Sequence, residues 1–221
     1  APEIHEIDGR LTILFMAGYG NTWSNGKSVY MQLKQDADGH DLDPADPDNW
    51  TVPTPIYRND ASLLNGNKQL AATASGGVGM SLDMTYFQDA DGRSYYAWQQ
   101  LGATYIATMD PKDPAHVTSS PVRIVTPEYA WNAAIAEGPN VTLRDGKLYL
   151  MFSGSGVGKT YTTGLAVADA SGTDLTDPAS WTVLNYPIQK SGPFNGEMQL
   201  GTGHGMWSED EDGNQIYVFH A

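Results

Sequence analysis

Runs of strand-forming apolar residues interspersed with polar ones recur four times along the chain, each time on both sides of an Asp-Gly pair. The segments are APEIHEIDGRLTILF from Ala1, DMTYFQDADGRSYYAW from Asp83, EGPNVTLRDGKLYLMF from Glu137 and HGMWSEDEDGNQIYVF from His204. Asp-Gly between two such runs is a strong hairpin signal, because both central residues of a type I′ turn need positive φ. Each segment is therefore predicted to be strand, tight turn, strand. Nothing between the segments carries the 3.6-residue apolar periodicity of an amphipathic helix. A second element closes three of the units: DPDNWTV at Asp46, DPAHVTS at Asp113 and DPASWTV at Asp177, each a proline turn leading into an outer strand. Units of roughly 50 to 80 residues holding four short strands fit propeller blades better than a sandwich.

Counting along the repeat aligns its chemistry. Seven residues after each turn Asp stands an aromatic, Phe15, Trp98, Phe152 and Phe219, expected to form a core layer packed between neighbouring sheets rather than a sugar-stacking surface. Eight residues before the turn stand Asp83, Glu137 and His204. The innermost strand of a propeller blade begins near the central channel, so these three ionisable side chains are expected to converge on one funnel. The same count from Asp8 falls one position before Ala1, and the chain is expected to begin inside a blade.

Composition narrows the classes of function. A chain of 221 residues suits one domain, expected over 1–221, and no apolar window could cross a bilayer, so no membrane partner is expected. A net charge of −14 with scattered Lys and Arg repels a phosphate backbone, and no nucleic-acid partner is expected. The absence of cysteine removes disulfides, thiol catalysis and thiolate zinc sites. It does not separate exterior from cytoplasm; secretion is the expectation and the cytoplasm the alternative.

Glycoside hydrolysis needs an acid for the leaving oxygen and a base or nucleophile on the opposite face of the sugar. Glu137, in AEGPN, stands before a stiff Gly-Pro pair and suits the acid; Asp83, after ASGGVGMSL, supplies a like charge that would keep Glu137 protonated. A strand-end carboxylate can instead cap loop amides, and the register shared with His204 is what favours the catalytic reading. Glu3 and His5 alternate on one strand toward the expected funnel, although loop backbone can satisfy such a histidine. Trp23, Tyr129 and Trp131 lie near strand ends and offer a sugar platform or ordinary packing. Two motifs are decoys. SGSGVGKT lacks the glycine a P-loop needs at Ser153 and runs into a strand rather than a helix. DADG at Asp36 and Asp89 and DEDG at Asp210 lack the ligand order of a calcium loop and are expected to be hairpin turns.

The residues also carry a family resemblance. APEIHEIDG, SLDMTYFQDADGRSYYAW, AEGPNVTLRDGKLYLMFS and GTGHGMWSEDEDGNQIYVFHA resemble, in order, the second, modulator, general-acid and last blade segments of family 43 glycoside hydrolases. The resemblance implies an all-β, five-bladed β-propeller with about four blades recognisable here, Glu137 as general acid and Asp83 as pKa modulator. It implies a calcium ion in the central channel near His204 and no organic cofactor. The implied reaction is inverting, exo-acting hydrolysis of plant cell-wall pentose polysaccharides, with acid and base separated by roughly 6.5–9.5 Å. The stretch DLTDPASWT through GTGHG most resembles arabinofuranosidases, with a β-xylosidase as the alternative. The family's general base is an Asp on the first blade, upstream of the APE-like segment. A missing N-terminal blade segment, from the same precursor or a companion chain, is expected to supply it; a non-catalytic carbohydrate-binding propeller is the other reading.

Overall fold

A computed structural model describes residues 2–18, 26–62, 64 and 80–221. The four predicted hairpins become the inner strands of four blades. In the first blade Glu3–Ile7, Arg10–Gly18, Gly26–Gln32 and Thr54–Pro55 lie side by side in that order. The second contains Leu82–Gln88, Ser94–Gln100, Ala103–Thr108 and Val122–Val125. Ala136–Arg144, Lys147–Gly154, Thr162–Asp169 and Thr182–Val183 build the third. All pairings inside these sheets are antiparallel. A fourth hairpin pairs Gly203–Glu209 with Gln215–His220.

The proline elements do lead to outermost strands in the first and third blades. Pro47–Asn49 and Pro178–Ser180 form single 3-10 turns, capped by Asp46 and Asp177, whose carboxylates each accept an amide two residues on. Trp50 and Trp181 then fold back, their indole N–H groups donating to the carbonyls of Pro44 and Leu175. The DPAHVTS element instead opens into His116–Val117, which pairs in parallel with Tyr57–Arg58 and joins the outer sides of two blades.

Only two of the four Asp-Gly pairs of the repeat make the tight turn. Asp8-Gly9 and Asp145-Gly146 hold positive φ at both residues, 52° and 68°, 49° and 74°, as a type I′ turn requires. Asp91-Gly92 and Asp212-Gly213 sit inside five-residue loops, 89–93 and 210–214. The reason is a second aspartate two residues earlier. Asp89 and Asp210 each accept the amides two and four residues on, a local bond that competes with the shorter turn. Asp36 builds the same loop in DADGH.

The core lies between blades. Ser94–Gln100 is buried along its whole length, so its alternating side chains serve two interfaces. Tyr95 and Ala97 join Leu148, Leu150, Phe152 and Ala166 on the third-blade side, whereas Tyr96 and Trp98 join Ile7, Leu14, Ile56 and Met84 on the first-blade side. Trp98 and Phe152 are fully buried between neighbouring blades, as the repeat predicted, and burial of a ring such as Phe152 contributes about 3 kcal/mol. Phe219 stacks on Tyr217 at 5.0 Å, and the Tyr217 hydroxyl meets Thr163 of the third blade at 2.6 Å. Phe15 is half-buried and lines the pocket described next.

Candidate active site

The inner strands of the second, third and fourth blades each carry a β-bulge near their start. Asp83 and Met84 oppose Trp98, Gly138 and Pro139 oppose Phe152, and His204 and Gly205 oppose Phe219. The first residue of each bulge takes positive φ: 54° at Asp83, 57° at Gly138 and 47° at His204. For a residue with a side chain that conformation costs on the order of 1 kcal/mol, and bulges are devices for re-aiming side chains. The bulge register equates Asp83 and His204 with Gly138, so Glu137 stands one residue ahead of its repeat position. The shorter turn of the third blade accounts for the offset.

Despite that slip the three side chains line one pocket of about 510 Å³, together with Pro2, Phe15, Met16, Leu82 and Val157. His204 Nε2 lies 3.6 Å from Asp83 Oδ1. The amide of His204 donates to Ser153 Oγ at 2.7 Å, which fastens the fourth blade to the strand beside Glu137. A Cβ on Gly138 would stand 3.3 Å from the His204 ring, so both φ and space favour glycine there.

Burial raises the pKa of Glu137, a hydrogen bond from Tyr161 opposes the rise, and the charge of Asp83 adds to it. That bond runs from the Tyr161 hydroxyl to Glu137 Oε1 at 2.6 Å. Burial lowers the pKa of His204, with Asp83 pulling the other way, which favours a neutral imidazole near neutrality. The pocket therefore couples a carboxyl group biased toward its protonated form to a second carboxylate beside an imidazole.

The other expected site residues stand elsewhere. Glu3 is buried, with His5 Nε2 at 2.8 Å from Oε2 and the Asn140 side-chain amide donating to Oε1 at 3.1 Å. Asn140 Oδ1 in turn accepts the Trp207 amide at 2.8 Å, so this network ties the inner strands of three blades and neither Glu3 nor His5 lines the pocket. Trp131 is wedged between Tyr129 and Phe152, at 6.1 and 6.0 Å, and its indole N–H donates to the Asn185 carbonyl. It lines a separate cleft with Lys159, Tyr161 and Lys190. Trp23 lies outside the described residues. Calcium takes six to eight oxygen ligands; among the described pocket residues the carboxyl groups beside His204 are those of Asp83 and Glu137. Among the described residues the one group of three close donors is Asp36, Asp38 and His40, on the exposed loop of the first blade. Tyr161 and His220, whose rings stack at 5.7 Å beside the pocket residues, were not legible in the repeat.

A blade array with two carboxylates and an imidazole gathered in one central pocket has the form of a hydrolytic propeller. The sequence profile of glycosyl hydrolases family 43 matches residues 1–221, and the chain belongs to that family. It is 29% identical over 231 residues to an extracellular exo-α-(1→5)-L-arabinofuranosidase of Streptomyces avermitilis, and 29% identical over 232 residues to α-L-arabinofuranosidase 43 of Humicola insolens. Both alignments include 100% of this chain and 42% of the relative, so the chain spans less than half the length of these proteins. Among solved structures, an α-L-arabinofuranosidase from Lactobacillus brevis superposes with a TM-score of 0.76 at 25% identity, covering 99% of this chain and 64% of that one. A thermostable family-43 glycoside hydrolase superposes at 0.70 with 20% identity, over 100% of this chain and 65% of that one. The fold is that of a five-bladed propeller, of which the described residues form three four-stranded blades and the inner hairpin of a fourth.

Proposed function

We propose that the polypeptide carrying this chain is an exo-acting α-L-arabinofuranosidase that cleaves pentose units from plant cell-wall polysaccharides with inversion. The observation that carries the reading is Glu137, a carboxyl group whose pKa burial raises inside a pocket that also holds Asp83. In the reaction Glu137 protonates the leaving glycosidic oxygen, and Asp83 disfavours early loss of that proton. Water attacks from the opposite face of the sugar; no residue of this chain is assigned as its base, and an upstream blade segment is proposed to supply an aspartate. The names of the Streptomyces and Humicola relatives support arabinofuranose as the sugar, and the extracellular label of the former supports secretion. A calcium ion near His204 belongs to the proposal only as an ion held mainly by water, and no step is assigned to it.

The test compares nitrophenyl α-L-arabinofuranoside with the β-xyloside, using the full polypeptide. Preference for the arabinofuranoside is expected; preference for the xyloside would make the protein a xylosidase, and binding without turnover a carbohydrate-binding propeller. Glu137→Gln should lower turnover of alkyl arabinosides by roughly 10²–10⁴-fold, with a smaller loss for nitrophenyl substrates that need little protonation. Equal losses on both would remove Glu137 from the acid role.

A further inference from the structure

Tyr161 stands at the junction of the third and fourth blades, fully buried, with its hydroxyl on Glu137. Four features fix its ring and backbone. Its amide donates to the Gly158 carbonyl at 2.9 Å. His220 stacks on its face at 5.7 Å with 19° between the planes. A Cβ on Gly203 would stand 2.4 Å from its Cδ1, so the fourth blade can approach only as glycine. A Cβ on Gly201 would meet the Gly158 carbonyl at 2.3 Å, which extends the same constraint to the loop that holds the tyrosine amide. Much of the GTGHG run is thus shaped around Tyr161.

We infer that Tyr161 is a positioning residue for the general acid: its hydroxyl, donated to Oε1 of Glu137, leaves the proton of the neutral carboxyl group on Oε2 and turns that oxygen toward the substrate. The inference rests on the reading of Glu137 as the acid. A carboxyl group has two oxygens, and only a proton on the one facing the glycosidic oxygen serves catalysis. An O–H donor on Oε1 makes that atom the acceptor in both protonation states, so the proton has one place to reside. The bond is stronger to the carboxylate than to the acid, so it also favours release of the proton. Burial, followed by the charge of Glu137, raises the tyrosine pKa far above neutrality, so the donor persists over the working pH range. Among the described pocket residues the other ionisable groups are Asp83 from the second blade and His204 from the fourth, and His220 faces the Tyr161 ring. Asp83 opposes ionisation of Glu137, whereas Tyr161 assists it.

Tyr161→Phe keeps the ring, its stack on His220 and its fit against Gly203 while deleting the donor. The pH dependence of kcat/KM is measured for this variant, Glu137→Gln and the parent, on a nitrophenyl and an alkyl arabinofuranoside, with thermal melts to establish folding. The expected result is a folded Tyr161→Phe enzyme whose kcat/KM on the alkyl substrate falls about tenfold, by loss of one hydrogen bond to an ionisable group, and less on the nitrophenyl substrate. Its alkaline limb moves to higher pH, because the charged form of Glu137 loses a stabilising bond. An alkaline limb that stays in place, or equal losses on the two substrates, overturns the inference. If Glu137→Gln is itself fully active, the reading of the acid fails instead; if it is inactive while Tyr161→Phe behaves as the parent, only the role of Tyr161 fails.

Discussion

Glu137 is held between opposing influences, and the order of their sizes sets what each substitution does. Burial is the largest, so Asp83→Asn removes only the smaller raising effect. The alkaline limb of kcat/KM, which requires a protonated acid in the free enzyme, should move to lower pH in Asp83→Asn. What remains is the opposition between burial, which raises the pKa, and the Tyr161 hydrogen bond, which lowers it. An unmoved limb would assign Asp83 to substrate contact. Gly138→Ala confronts both a φ of 57° and a His204 ring 3.3 Å from the new methyl group. A stability loss of about 1–3 kcal/mol is expected from denaturant titration, and a silent Gly138→Ala would show that the bulge relaxes freely. Asp83, Glu137 and His204 were legible because each stands eight residues before a turn Asp, near the start of an inner strand, although the shorter turn of the third blade places Glu137 one residue ahead of the other two. Tyr161 has no such offset: it reaches Glu137 through a sheet pairing and a neighbouring blade, neither of which leaves a local pattern. Trp131 packs on Tyr129 and Phe152 and also lines a cleft apart from the pocket, and the sequence left both roles open because an aromatic after a loop looks alike whether it packs or presents a face.

The hairpins show how one sequence signal can give two elements. Asp-Gly fixed where each chain reversal falls, but the aspartate two residues upstream decided its length. Only a reading of side-chain hydrogen bonding, not of turn propensity, separates DGR after Ile7 from DADGR after Gln88. The five-residue loops share a geometry and differ in burial, which gives a controlled comparison. Asp89 has a fully buried side chain and accepts the amides of Asp91 and Arg93, the Arg93 guanidinium at 2.7 Å and the Tyr95 hydroxyl at 3.1 Å. Asp36 holds the equivalent amides with 43% of its side chain exposed. Asp89→Ala leaves the buried Tyr95 hydroxyl without this acceptor and breaks the bonds to three part-buried donors, which should cost about 3 kcal/mol, whereas water replaces Asp36 and Asp36→Ala should cost less than about 1 kcal/mol. Equal costs in chemical denaturation would mean that the loop itself, rather than its burial, sets the energy.

At the scale of the molecule, each blade of a propeller rests chiefly on its two neighbours, as the units of a repeat array do. The strand Ser94–Gln100 fits that picture, serving one interface on each of its faces. Asn140 does not. Its side chain joins Glu3 of the first blade to the Trp207 backbone of the fourth, closing a contact across 137 residues of sequence. One amide group thereby ties the inner strands of the first, third and fourth blades together, and the consequence is cooperativity: opening the first blade must also disturb the fourth. Native-state hydrogen exchange should report one shared opening free energy for amides in Glu3–Ile7 and Gly203–Glu209. In Asn140→Ala, with two polar partners released, the two strands should exchange independently, and the urea transition should broaden with a smaller m-value. Exchange that stays matched in the variant would mean that the blades communicate through their packed faces alone, and that the central amide serves the register of three strands without coupling their fates.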